Sequence, residues 1–303
     1  AGKPRRRTKN GTWQQALKGN ARAAESGERE RVFCASFADV FDTEVPPEWR
    51  DDALALVAAT PYLDWLLLTK RAKAMRDSLS DPDIRDRVHA GLGRIFGDGG
   101  LKSDRFAATD VAHVAFPLPN VWAMVSAENQ KMLDARVPYL MRTPARVRAL
   151  SMEPLLESVN VAGAINDCGC GECDYCLEIA PTPTCGVDWI IVGGESGPRA
   201  RATDPEWVRE IRDECAGSRV AFLFKQWGSW APFLSRDGST PGSKAHIWRQ
   251  DVREPCDVRR TPVAEGSVWR RSPKESGRLL DGIEWNQAPL PRVRNLEPVG
   301  ALP

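Results

Sequence analysis

The fold is decided by residues 187–201, VDWIIVGGESGPRAR, where a short apolar run stops at two glycines and a carboxylate. Residues 189–192 lack the polar alternation of a half-exposed strand, so they predict a strand buried on both faces, as in a parallel sheet. The N-cap Asp204 and the following Pro205 then predict a helix, and residues 220–224 predict a second buried strand. This part of the chain therefore predicts a strand, helix, strand unit.

The same unit recurs upstream, where four further buried runs each precede an ionisable residue. The six strands are predicted at residues 32–37, 65–70, 121–127, 147–152, 188–193 and 220–225. Helices are predicted between them, among others at residues 71–78, 82–96 and 130–141. Because right-handed crossovers join parallel strands, we expect one α/β sheet with helices outside, a partial TIM-like (β/α) barrel.

Each predicted strand delivers an ionisable side chain at or just past its carboxyl end. These six residues are Asp39, Lys70, Glu128, Glu153, Glu195 and Lys225. Parallel strands place their carboxyl ends on one side of a sheet, where α/β proteins build their sites, so we predict that the six line one polar mouth. Opposite charges gathered there should partly neutralise one another. The alternative is that any strand leaving a core meets something polar.

The charge balance restricts the partners. The chain of 303 residues carries 42 Lys and Arg against 41 Asp and Glu, a net charge of +1, so any nucleic-acid contact must be local. No apolar run is long enough to cross a bilayer, and no signal segment opens the chain. We therefore expect no membrane partner and a cytoplasmic protein, located in the host cytoplasm if a phage encodes it.

Three segments are predicted along the chain. Residues 1–31 form a basic arm that begins with KPRRRTK and either contacts phosphate or is a mobile terminus. Residues 32–230 form the partial barrel. Residues 231–303 form an irregular extension rich in Arg, Trp and Pro, which packs on the barrel. Its interleaved arginines and tryptophans suit a nucleic-acid surface, and they equally suit a wrap over the open side of the barrel.

Five of the eight cysteines lie in a predicted insertion at residues 166–186. They are Cys168, Cys170, Cys173, Cys176 and Cys185. Thiolates at such short spacing converge readily on one ion, and tetrahedral zinc needs four ligands, so we predict a structural zinc site with one cysteine left over. The spacing also resembles part of an iron–sulfur run, and free or oxidised thiols are the third alternative. Crowded cysteines in a reducing compartment favour a metal over disulfides.

Seven strings between residues 32 and 285 carry a resemblance to a known family. They are VFCASFADVFD, LDWLLLTKR, NVWAMVSAENQ, LSMEPLL, DWIIVGGESGPRAR, FLFKQWG and GRLLDGIEW. On these strings the chain resembles a phage-associated family of unassigned function, whose members are similar to radical S-adenosylmethionine enzymes. The resemblance implies a barrel that binds S-adenosylmethionine and a [4Fe–4S] cluster at the carboxyl ends of its strands.

The resemblance also assigns roles to residues. Glu128, Glu153 and Glu195 would hold the amine and ribose hydroxyls of the ligand, with Ser126, Gly193 and Gly194 as further cofactor-binding residues. Lys70 and Lys225 would face a carboxylate or phosphate, and Asp39 would orient a lysine or accept a proton. The triplet 193–195 is similar to the glycine-glycine-glutamate of radical enzymes, although there it follows an early strand.

Members of that family ordinarily carry a strand and a three-cysteine cluster loop ahead of these strings. This chain has no cysteine before Cys34, so we expect the loop to have been lost or to lie on another polypeptide. Two hypotheses follow. The first is a radical S-adenosylmethionine-like enzyme acting on a nucleic acid or nucleotide; the second is a non-catalytic, zinc-stabilised barrel that binds nucleic acid or a phage or host protein.

Overall fold

The computed structural model describes residues 6–34, 38–97, 100–102, 114–166, 186–218, 220–232, 246–249, 254–257, 268–270 and 276–289. Its helices are α1 (Asn10–Ser26), α2 (Pro47–Ala58), α3 (Ala72–Leu79), α4 (Ile84–Phe96), α5 (Gln130–Met141), α6 (Ala162–Asn166) and α7 (Pro205–Ser218). The strands of the main sheet are β1 (Glu30–Cys34), β2 (Leu63–Thr69), β3 (Val121–Ser126), β4 (Val147–Met152), β5 (Trp189–Gly193) and β6 (Ala221–Gln226).

The main sheet contains six parallel strands that follow one another in chain order, from β1 to β6. This confirms the predicted α/β fold, a partial TIM-like barrel flanked by helices. Strands β3 and β5 are buried along their whole length, as their unbroken apolar runs predict for a sheet that is covered on both faces. The predicted helices at 71–78, 82–96 and 130–141 are confirmed as α3, α4 and α5.

The chain falls into two compact units, and the first consists of Ala1–Val125, Pro138–Arg148 and Pro291–Pro303. In it, α2 packs closely against α4. This contact requires a glycine at position 91, because a Cβ there would lie 2.8 Å from the Asp51 carbonyl oxygen. The Asp52 carboxylate, 2 % exposed, accepts a hydrogen bond from Arg94 at 2.7 Å and pairs with Arg7 at 3.0 Å. Two arginines therefore stabilise one buried negative charge.

Most of the segment predicted as a basic arm is helical. Helix α1 occupies most of it and buries Leu17 and Ala23. Arg7, from the basic stretch itself, stacks over the Trp13 ring at 4.5 Å while it pairs with Asp52. Sequence inspection missed the helix because few of its residues are apolar, so its buried stripe is narrow.

The second compact unit consists of Ser126–Val137 and Ala149–Leu290. It contains the C-terminal extension, whose described residues include a four-stranded antiparallel sheet in the order β7, β10, β8, β9. These strands are β7 (Trp230–Pro232), β8 (His246–Arg249), β9 (Glu254–Asp257) and β10 (Val268–Arg270). Strands of three or four residues are too short to show a period in the sequence.

Strands β11 (Leu279–Leu280) and β12 (Ile283–Glu284) form a two-stranded antiparallel hairpin. The residues after it pair with the edge of β6, where the Phe224 amide donates to the Trp285 carbonyl oxygen at 3.0 Å. Asn286 forms an antiparallel bridge with Leu223. The β6 edge is therefore covered by the chain itself, which protects its backbone groups from pairing with other molecules.

A membrane-crossing helix was not expected. Within the described residues, no helix combines the length and the apolar character that such a crossing requires.

Candidate functional site

The predicted site residues divide between the two units. Asp39 and Lys70 belong to the first, and Ser126, Glu128, Glu153, Gly193, Gly194, Glu195 and Lys225 belong to the second. That all six charged residues line one mouth stays a prediction. The five predicted metal ligands, at 168–185, lie outside the described residues, so the zinc site also stays a prediction. Among the residues described, no three His, Cys, Asp or Glu side chains are grouped to hold a metal.

In the first unit, Asp39 lies at the centre of a hydrogen-bonded cluster at the carboxyl end of β2. Its carboxylate accepts the Thr69 hydroxyl at 2.8 Å and an Arg71 guanidinium N–H at 2.9 Å. Arg71 also pairs with Asp42 at 3.1 Å. Asp39 therefore anchors the segment after β1 to the end of β2, while the neighbouring Lys70 is exposed. Sequence reasoning missed Thr69, Arg71 and Asp42, although all lie in the strings that carry the resemblance.

In the second unit, Glu153 and Lys225 form an ion pair at the ends of β4 and β6. The Lys225 ammonium lies 3.2 Å from Glu153 Oε2, which also accepts the Ser151 hydroxyl at 3.3 Å. The Glu153 side chain is 20 % exposed and that of Lys225 is 60 % exposed. Neither has another polar partner among the described residues, so Glu153 Oε1 and two ammonium hydrogens are available to a ligand.

Gly193, the last residue of β5, makes this arrangement possible. A Cβ at Gly193 would lie 2.6 Å from Glu153 Oε1 and 3.2 Å from its Cγ. Any side chain there would therefore displace the carboxylate from its position over the end of the strand. The glycine was predicted to bind a cofactor directly, and the structure gives it this further role of making room for Glu153.

Gly194 has a different role, because it lies where two backbone segments cross. A Cβ on Gly194 would overlap the carbonyl of Trp227, and one on Gly228 would overlap the carbonyl of Glu195. The Gly194 amide donates to the Gln226 carbonyl oxygen at 2.8 Å, and the Ser229 amide donates to that of Glu195 at 2.8 Å. The segments after β5 and β6 are thus fixed to each other by backbone contact.

Glu195 is held by Arg201. Its Oε2 accepts the Arg201 amide and Nε–H, both at 2.8 Å, and its Oε1 accepts an Nη2 hydrogen at 2.9 Å. These hydrogen bonds from Arg201 lower the pKa of the Glu195 carboxyl, because they stabilise its ionised form. Because both of its oxygens already have a cationic partner, Glu195 has less capacity for a ligand amine than Glu153.

Glu128 is likewise held by an arginine. Arg136 donates from Nη1 to Glu128 Oε2 at 2.8 Å and to the carbonyl oxygen of Ser126 at 2.7 Å. Both side chains of the ion pair are largely buried, and Ser126 is buried at the end of β3. This pair therefore connects the end of β3 to α5. Of the predicted residues in this unit, Glu153 and Lys225 have the largest unused hydrogen-bonding capacity.

Comparisons with curated proteins and with solved structures found no match for this chain. A family model, described as a protein of unknown function (DUF5131), matches residues 2–289. This match covers almost the whole chain, including most of each compact unit and every predicted site residue. The chain therefore belongs to the uncharacterised protein family DUF5131.

Proposed function

We propose that this protein binds S-adenosylmethionine through Glu153 and Lys225, and that its complete form is a radical S-adenosylmethionine-like enzyme acting on a nucleic acid or nucleotide. The observation that carries the proposal is the Glu153–Lys225 ion pair, 3.2 Å apart, partly exposed and with unused hydrogen-bonding capacity. It lies at the carboxyl ends of parallel strands, where α/β proteins bind their ligands.

The chemistry of the ligand fits this pair. The methionine part of S-adenosylmethionine carries an ammonium and a carboxylate on one carbon atom. A zwitterion of this kind can exchange partners with the ion pair, because its ammonium can bind Glu153 and its carboxylate can bind Lys225. A partly exposed ion pair contributes only about 0–1 kcal/mol, so opening it costs little. Both new contacts are charge-assisted hydrogen bonds.

The described cysteines do not fit an iron–sulfur cluster. Burial raises the pKa of the Cys34 thiol to about 11 and that of Cys215 to about 12, which disfavours the thiolate that binds metal. The enzymatic part of the proposal rests on the family resemblance and requires a cluster loop in the complete form. The association with a phage and the location in the host cytoplasm are proposed together with this enzymatic activity.

The binding proposal can be tested by isothermal titration of the purified protein with S-adenosylmethionine. We expect Glu153→Gln and Lys225→Met to weaken binding at least about tenfold, since each removes one charge-assisted contact. Lys73→Met is a matched control, because Lys73 forms an exposed ion pair with Asp77 on α3. Equal affinities in all three variants and the original protein would contradict the proposal.

The alternative is a non-catalytic, zinc-stabilised module that binds nucleic acid or a phage or host protein. One observation favours a nucleic-acid contact, namely that Arg199 and Arg201 are exposed beside the antiparallel sheet. The basic arm supports it less, because Arg7 pairs with Asp52. Stoichiometric zinc without iron, together with oligonucleotide binding and no S-adenosylmethionine binding, would favour this alternative.

A further inference from the structure

In the segment after β5, residues 194–203, exposed and buried side chains alternate from residue 199 to residue 202. We call this segment the β5 loop. Ala200 and Ala202 are buried in an apolar cluster with Trp230 and Val268, at 6 % and 5 % exposure respectively. Arg199 and Arg201, which alternate with the two alanines, are exposed. Two arginines two residues apart therefore lie on the solvent side of one segment.

The β5 loop is held by hydrogen bonds from two neighbouring elements. The Trp230 indole N–H donates to the Ala200 carbonyl oxygen at 2.7 Å, and the Gly197 amide donates to the Ser229 hydroxyl at 3.0 Å. Arg270, in β10, donates to the Gly197 carbonyl oxygen at 3.4 Å and stacks over the Trp230 ring at 5.5 Å. The two exposed arginines therefore project from an ordered backbone.

Glu195 orients Arg201 but occupies only some of its hydrogen-bond donors. Glu195 accepts from Nε and from Nη2, which is one side of the guanidinium fork. Of the five guanidinium hydrogens, three remain, two on Nη1 and one on Nη2. Two of these hydrogens, one on Nη1 and one on Nη2, lie on the end of the fork, an edge that binds two oxygens of a carboxylate or phosphate. The Arg201 side chain is 53 % exposed, so this edge is accessible.

Arg199 adds a second cation to the β5 loop. Within the described parts of the chain it has no carboxylate partner, whereas Arg201 shares its charge with Glu195. The β5 loop contains two arginines and one glutamate, so its formal charge is +1. A preoriented fork beside a second exposed arginine favours an anion with several oxygens and more than one negative charge.

We infer that Arg199 and Arg201 bind a phosphate group, as it occurs in a nucleotide or in a nucleic-acid strand. The inference deepens the proposed function. Phosphate binding by the two arginines stands by itself, and only the assignment of this phosphate to the substrate rests on the proposed function. The inference concerns different residues from the Glu153–Lys225 pair. Arg270, in the C-terminal extension, then has a supporting role, because together with Trp230 it holds the loop that presents the two arginines.

The test is fluorescence anisotropy of a labelled twelve-nucleotide single-stranded DNA, with the full chain, at a series of salt concentrations. We expect the double variant Arg199→Gln, Arg201→Gln to bind roughly tenfold more weakly at low salt, with the slope of log K against log salt reduced by about 0.7 for each arginine. Arg22→Gln is the control, because Arg22 is also exposed and also pairs with a glutamate, Glu30.

Competition separates the two sources of phosphate. Displacement of the DNA by adenosine monophosphate at a similar phosphate concentration indicates a nucleotide site, and displacement by oligonucleotides alone indicates a strand. Unchanged thermal unfolding of the double variant shows that its fold is retained. Equal DNA affinity of the double variant and the original protein overturns the inference, as does a lack of binding to every phosphate probe. Titration with S-adenosylmethionine is independent of these results, so either proposal can fail alone.

Discussion

Two adjacent glycines, Gly193 and Gly194, should respond very differently to the same added methyl group. In Gly193→Ala the new Cβ meets the tip of Glu153, which is partly exposed and can rotate away. In Gly194→Ala the new Cβ overlaps the backbone carbonyl of Trp227, which is held by the surrounding chain. The first change therefore displaces a side chain, and the second requires two backbone segments to separate.

The magnitudes follow from these contacts. Gly193→Ala loses a partly exposed ion pair, which costs under about 1 kcal/mol. Gly194→Ala overpacks a site with no flexible neighbour and should cost about 3 kcal/mol, at the upper end for such substitutions. The Gly194 amide also donates to the Gln226 carbonyl oxygen at 2.8 Å, and separation of the segments would strain this bond.

Urea unfolding followed by tryptophan fluorescence measures the difference. With an m-value of about 3 kcal/mol/M, 3 kcal/mol lowers the midpoint by about 1 M for Gly194→Ala. The midpoint of Gly193→Ala should stay within about 0.3 M of the original. Gly193→Ala should nevertheless weaken S-adenosylmethionine binding, because Glu153 is displaced. If both variants unfold at the same midpoint, or Gly193→Ala is the less stable, the reasoning about these contacts is wrong.

Three further predictions concern other parts of the molecule. Asp52→Ala should lower the free energy of unfolding by roughly 1–3 kcal/mol, because it leaves Arg94 without its buried carboxylate partner; urea unfolding checks this. Hydrogen bonds from Arg209 lower the pKa of Asp281, so this carboxylate stabilises the fold above pH of about 4 and the contribution is lost as the pH falls through the lowered pKa. Asp281→Asn should therefore lose less stability than the original protein between pH 5 and pH 3, by urea midpoints at each pH. Cys173→Ser should remove the predicted zinc, by elemental analysis, and loosen residues 166–186 while circular dichroism shows the barrel still folded.

The main sheet could be predicted from the sequence because its strands are buried on both faces. Residues 189–192 form an apolar run with no polar interruption, and such runs identify parallel strands without knowledge of their neighbours. The C-terminal sheet could not be predicted in the same way. Strand β7 has three residues and β10 has three, which is fewer than two full periods of alternation.

The candidate site was predictable only as a set of positions. That Glu153 and Glu195 follow parallel strands was evident from their place after buried runs. It was not evident which of the two glutamates is held by an arginine, because Arg201 reaches Glu195 through the fold of the β5 loop rather than through a sequence motif. The role of Gly193 also depends on a side chain from another strand, which no local pattern reveals.

The most direct test of the account is a titration of Glu153→Gln with S-adenosylmethionine beside the original protein, using isothermal calorimetry at neutral pH. The substitution keeps the size of the side chain and removes its charge, so the Glu153–Lys225 pair loses its attraction while the packing over Gly193 is kept. We expect measurable binding by the original protein and at least about tenfold weaker binding by the variant. Equal affinity in the two proteins, or no binding by either, would contradict it.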